Sequence, residues 1–277
     1  MQSGNITTIS ASSGSALYRI AQDGTVQQHI GWRDLSSPAN EGPCIGLTVS
    51  GEGDVYKLQS NGYISHLRTA AGERGADWDL IDTNPDSMTI AATFAHIYQL
   101  HRQTGHVYKY SGQGTTWDFI GGTPETVAIV ADIASGDKEE KVYKLHQGGS
   151  IWKWKGEGTD WDQIDNNPET KLIAAFDDKV YQMHNSGAIW VYKDDTSQWV
   201  NLDSSPDAIQ ISVGKAGLYQ LHKEHTIWKY LGEGEGWKEI ISSDSTVVEI
   251  SVGDFVYARK EAGEVIKYLD ENWVPLI

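Results

Sequence analysis

Cysteine is nearly absent. Cys44 stands alone, so no internal disulfide can form, which fits a reducing compartment. Phenylalanine is scarce too, with 4 Phe against 11 Trp and 13 Tyr. Most rings therefore carry a polar handle and suit half-wet surfaces and ligand contacts. Basic residues are outnumbered: 22 Lys and Arg against 38 Asp and Glu give a net charge of -16. They are scattered singly, so nucleic acid is not an expected partner. No apolar run approaches the ~20 residues of a membrane-spanning helix, and no stretch keeps a helical period. The segment Met1 to Ser10 is polar and lacks the apolar stretch of a signal peptide. These absences lead us to expect a cytoplasmic chain without membrane insertion, or one exported by a non-classical route.

Motifs for chemistry are missing as well. There is no Gly-x-Ser-x-Gly elbow, P-loop or His-Glu-x-x-His. The acidic triplets Asp77-Trp78-Asp79 and Asp160-Trp161-Asp162 hold a Trp in the middle and match no calcium loop. We expect no enzyme, no cofactor and no metal. Carboxylate pairs for glycoside hydrolysis are set by the fold and stay open at this point.

What the chain does have is a beat. Tyr18, Tyr56, Tyr98, Tyr143, Tyr181, Tyr219 and Tyr257 recur about 40 residues apart, all but the last in a Tyr-x-apolar step. Trp32, Trp78, Trp117, Trp161, Trp199, Trp237 and Trp273 follow, one per tyrosine. Between them lie short segments rich in β-branched and aromatic residues, bounded by Gly, Asn, Asp or Pro. In the fourth repeat these segments are 127–131, 141–146, 150–155 and 161–164. Prolines fall after the Trp segment, where no ladder N–H is needed.

Four antiparallel strands per ~40 residues make one blade, so the fold class is all-β: a seven-bladed β-propeller in a single domain, 1–277. The repeats run over about 6–40, 44–86, 88–125, 127–169, 171–207, 209–245 and 247–277. The first strand should be innermost and the Trp strand outermost. Insertions are expected at 70–76 and 135–140. The chain starts on an inner strand and ends on an outer one. Closure should therefore come from packing between first and last blades, not from a blade shared by both termini.

The segments Gln210-Ile211-Ser212-Val213-Gly214 and Glu249-Ile250-Ser251-Val252-Gly253 resemble the Ile-Ser-Val-Gly strand of tectonin repeats. Leu218-Tyr219, Ile227-Trp228-Lys229-Tyr230 and the outer Trp237 and Trp273 resemble that family's hairpin and outer strand. The likeness is at motif level, because earlier repeats carry Ile-Ala-Ala instead. It implies a multivalent lectin with a role in defence. The implied partners are glycans; N-acetylglucosamine, galactose, fucose and O-methylated sugars all suit such a site. Homo-oligomer formation is an open option.

Repeats three to six differ from the rest. They end the Tyr strand in His101, His146, His184 and His222, where the others have Ala21, Gln59 and Lys260. Their third strands carry Tyr108, Trp152, Trp190 and Trp228, where the others have Gln27, Ser65 and Ile266. The imidazole and the ring appear and disappear together. A ring offers a pyranose a stacking face and an imidazole offers a hydrogen bond, so these eight residues are the expected carbohydrate contacts. The Gly-rich loops Gly112 to Gly114, Gly156 to Gly158 and Gly232 to Gly236 could complete a site. Packing of blade on blade is the competing reading. The second third-strand rings, Tyr110, Trp154, Tyr192, Tyr230 and Tyr268, are expected in the core. Without sugar binding, the fold would serve as a protein-interaction scaffold.

Overall fold

The computed structural model describes residues 6–11, 16–35, 42–68, 77–133, 140–242 and 246–276. These form 28 strands and no helix. The strands make seven four-stranded antiparallel sheets, each in simple sequence order. The sheets cover 6–35, 44–82, 87–122, 126–166, 170–203, 208–241 and 247–275. Each first strand lies beside the first strands of the neighbouring sheets, and the last beside the first. The architecture is a seven-bladed β-propeller, with the Trp strand outermost. Blade 4 shows the register: Thr126–Ala131, Val142–His146, Ser150–Trp154 and Trp161–Asn166. Its outer strand passes the expected end at Ile164, because Asn166 still pairs with Ser150. The expected insertions lie outside the described residues, apart from Glu140.

The outer strands hold the ring together through a defect. In blades 2 to 6 the third-to-outer ladder skips one residue: Ile81, Ile120, Ile164, Leu202 and Ile240. A bulged residue leaves its carbonyl outside the ladder. Each of these carbonyls accepts the indole N–H of the next blade's outer Trp. The bonds are Trp117 Nε1 to Ile81 O at 3.1 Å, Trp161 to Ile120 at 2.7 Å, Trp199 to Ile164 at 3.0 Å, Trp237 to Leu202 at 2.9 Å and Trp273 to Ile240 at 3.0 Å. Trp78 to Leu35 O and Trp32 to Leu276 O, both 3.4 Å, complete the circle. The Trp beat is a ring of blade-to-blade bonds.

No blade mixes the termini. At the seam, Ile9, Leu17, Tyr257 and Val265 form one buried cluster. Thr8 Oγ1 donates to Glu249 Oε1 at 2.5 Å, and Ala11 N to Ser251 Oγ at 3.0 Å. In blades 1 to 5 the turn after the Tyr strand also packs closely against the linker that follows the blade. Gly149, in the turn after the Tyr strand, has φ +84°, and a Cβ there would lie 2.0 Å from Asn167 O. Only glycine meets both demands.

Candidate functional site

The gap between two blades has two ends. At the end of the incoming linkers, the strand register sets each His diagonally across from its ring. Tyr108 pairs with Gln99, two residues before His101; Trp190 pairs with Gln182, two before His184. Both members therefore share the face turned to the preceding blade. All four predicted pairs meet. His101–Tyr108 lie 4.5 Å apart, His146–Trp152 5.6 Å, His184–Trp190 5.7 Å and His222–Trp228 5.6 Å, the last two stacked. His101, His146 and His184 are buried, while the partner rings are half-buried. Burial holds all four imidazoles below the usual histidine range. It outweighs nearby carboxylates such as Asp86, 4.0 Å from His101, and Glu125, 3.6 Å from His146.

The pairs differ in how well their polar atoms are met. Linker residues Asn84 and Asn167 reach His101 Nε2 and His184 Nε2, each at 3.4 Å. The corresponding linker residues before blades 4 and 6 are Thr123 and Ser205. There, His146 Nε2, His222 Nε2 and Gln220 Oε1 are buried without a hydrogen bond; in blade 5 the same holds for Trp190 Nε1. An unmet buried polar atom is costly, and a ligand hydroxyl or water at these points would remove that cost.

Beneath the pairs runs a polar latch. Gln182 Nε2 donates to Asp165 Oδ2 and Gln220 Nε2 to Asp203 Oδ2 of the preceding blade, each at 2.7 Å. Gln99 reaches Asp82 through Ser87 Oγ. Between blades 3 and 4 the latch is replaced. Gly121 stands at the Asp position and the buried Lys144 at the Gln position. Lys144 Nζ lies 4.4 Å from the Trp161 ring centre and 5.6 Å from that of Trp152. Burial, unopposed by a carboxylate, pushes its pKa down to about 8.

The far end of the gap opens into clefts. One, between blades 5 and 6, has a volume of about 770 Å³; another, between blades 2 and 3, about 500 Å³. They are built from the same positions. Tyr181, Val191, Val200 and Leu202 form one wall as Tyr56, His66, Asp79 and Ile81 form the other. Across the gap, Leu218, Tyr230, Gly232 and Gly234 match Ile97, Tyr110, Gly112 and Gly114. Tyr230 leans on Trp237 at 5.2 Å and Tyr110 on Trp117 at 5.1 Å. Tyr110 also donates to Gly114 O at 2.9 Å, tying ring to loop. Thus Tyr110 and Tyr230, expected in the core, line clefts, while Trp154 is buried as expected. Two of the glycine loops named from the sequence, Gly112 to Gly114 and Gly232 to Gly236, reach these clefts, at the opposite end from the His–ring pairs; Gly156 to Gly158 lines neither.

One position accounts for both openings. The residue paired with the strand Tyr is Lys109, Lys153, Lys229 and Lys267 in blades 3, 4, 6 and 7. Lys109 crosses to Glu140 at 2.5 Å and Lys153 to Asp194 at 2.9 Å, each in the next blade. Lys229 and Lys267 fold over Tyr219 and Phe255 of their own blades. In blades 2 and 5 that position is His66 and Val191. His66 stacks on Tyr56 at 4.6 Å and 19°, held by Asp54 at 3.1 Å, and Val191 is too short to cross. Both clefts lie beside a blade that lacks the lysine; blade 1, with Gln28 paired to Tyr18, lacks it too. Sequence reading overlooked this, although an alignment of the repeats on Tyr displays it.

Among the described residues, no group of three or more His, Cys, Asp or Glu could hold a metal ion, and no helix is long and apolar enough to cross a membrane. Cys44 is buried, and burial raises its thiol to about 11. No protein-family model and no curated protein matches the sequence. Solved structures do. Virginiamycin B lyase from Staphylococcus aureus, solved as a catalytically inactive variant with quinupristin, is 14% identical, with a TM-score of 0.71 over 95% of this chain and 94% of that one. YCF48 from Cyanidioschyzon merolae is 12% identical, with a TM-score of 0.68 over 98% and 97%. PorZ, a surface component of the type-IX secretion system of Porphyromonas gingivalis, is 11% identical with a TM-score of 0.68; this chain spans 98% of its own length and 38% of PorZ. A lyase and a secretion-system component share this scaffold, so these likenesses carry the fold and not the function.

Proposed function

We propose that this protein is a multivalent carbohydrate-binding protein whose principal sites are the clefts between blades 2 and 3 and between blades 5 and 6. One observation carries the reading: the same cleft is built twice from equivalent residues. Each has a half-buried Tyr, a glycine loop that exposes backbone, and mixed polar and apolar walls. A volume of 500–770 Å³ suits a mono- or disaccharide. The tectonin-like motifs agree with it. The four His–ring pairs form a second set of candidate contacts, supported by their unmet polar atoms. Several weak sites on one rigid ring would raise avidity by roughly 10²–10⁴ on a glycan surface. A glycan array with haemagglutination tests the reading. Tyr110→Ala and Tyr230→Ala should each weaken binding, and silence of the wild-type protein against every glycan would sink the idea.

A second reading has its own observation. The inner strands bulge at one level of the ring, and the bulged residues include Ile45, Val127, Ile209 and Val248, all exposed. An apolar collar of this kind would suit a protein partner. A stoichiometric partner retained in excess free sugar, and released by Val127→Asp, would favour this scaffold reading.

A further inference from the structure

The two clefts are built from equivalent positions but differ in charge. In blade 2, Asp54 and Asp79 flank His66, and Asp79 pairs with Arg68 on its own sheet. At the equivalent positions of blade 5 the register places Lys179 for Asp54, Val200 for Asp79 and Lys193 for Arg68. One carboxylate has become a lysine and the other has become apolar. Lys193 therefore keeps a cation at the position of Arg68 without the carboxylate that neutralises Arg68. Its neighbour Asp194 is engaged by Lys153 of blade 4, and Lys193 makes no ion pair among the described residues. Lys179 has only the exposed Asp177, at 3.4 Å. Opposite the lysines, the loop N–H groups of Glu233 and Gly234 make no hydrogen bond among the described residues. In a chain of net charge -16, this cleft sets two lysines against one lining carboxylate, Glu233, and has open donors.

We propose that the cleft between blades 5 and 6 takes an acidic sugar, a pyranose carrying a carboxylate, with Lys179 and Lys193 pairing with that group. This rests on the carbohydrate reading and adds its ligand class. The lysines supply charge, the Gly232–Gly236 loop supplies backbone donors of the kind that cradle anions, and Tyr230 supplies a ring for the sugar face. The cleft between blades 2 and 3 keeps its own carboxylates and should refuse the same ligand.

Calorimetric titration with methyl β-D-glucuronide and methyl β-D-glucoside, the same ring with and without the charge, tests this. The wild type should bind the glucuronide at least tenfold more tightly, and the preference should shrink as salt rises. Lys179→Gln with Lys193→Gln should erase the preference. Val200→Asp, which restores the carboxylate of blade 2, should erase it too without unfolding the blade. Val191→Phe fills the cleft without adding charge and should abolish binding of the glucuronide and remove this cleft's share of glucoside binding. Equal affinity for the two glycosides, no binding of either, or a preference that survives the lysine variants overturns the proposal. If Val191→Phe leaves binding unchanged, the cleft itself is not the site, and the carbohydrate reading of it fails as well.

Discussion

The two ends of each blade-to-blade gap solve one packing problem in different ways. At the linker end, blades 3 to 6 fill the gap with a His laid against a ring. At the far end, blades 3, 4, 6 and 7 put a lysine beside the strand Tyr, and blades 1, 2 and 5, with Gln28, His66 and Val191, do not. The first end is marked by residues that are present, the second by a residue that is missing. The lesson is that a repeat protein can make a cleft by omission: the scaffold is intact and one filler is left out.

The largest expected effect tests the linker end as filler. Trp190→Ala should cost about 2–4 kcal/mol in urea unfolding, because a half-buried ring between blades is lost. A cost below about 1 kcal/mol together with loss of glycan binding would make that end a site instead. Next comes the latch between blades 3 and 4. Lys144→Met should stabilise the fold by about 1–3 kcal/mol at pH 7, since burial of the ammonium is unopposed there. The folded pKa, about 8, lies below the unfolded value of 10.5. The penalty is thus full below pH 8, and wild-type stability rises between pH 8 and 10.5. The gain from Lys144→Met should fade over the same window, as denaturation midpoints across pH would show.

The histidines give a third contrast. Burial lowers the folded pKa of His101, His146, His184 and His222, so below pH 6.5 the unfolded chain takes up protons first. Stability should fall as pH drops through that range, and replacing all four by Gln should flatten the slope. The smallest effect on stability belongs to the far end. Lys153→Val gives up only a partly exposed ion pair with Asp194, a loss of under about 1 kcal/mol. It should open a third cleft, visible in a crystal structure of the variant.

Much of the scaffold was legible because a blade repeats its needs. Tyr and Trp recur because every blade packs and bonds the next in the same way. The co-occurrence of His184 with Trp190, and of its three counterparts, foretold real contacts. The indole-to-carbonyl ring was not legible, since a bulge at Ile164 or Leu202 is a matter of ladder register and leaves no residue signature. The clefts were missed for a different reason. Tyr110 and Tyr230 have the same residue type as the half-buried Tyr192 and Tyr268, and only the facing residue, His66 or Val191 in place of Lys, sets them apart. Absence of a filler is invisible until the repeats are aligned on the strand that it faces.

The most direct measurement counts sites. Take the glycan bound best on an array and titrate it calorimetrically into the wild type, Val191→Phe, His66→Lys, the doubly filled variant and Lys153→Val. If the clefts are the principal sites, each filling removes one site, the double variant loses both, Lys153→Val gains a site, and every variant still unfolds cooperatively. Undiminished binding by the folded double variant would contradict the claim.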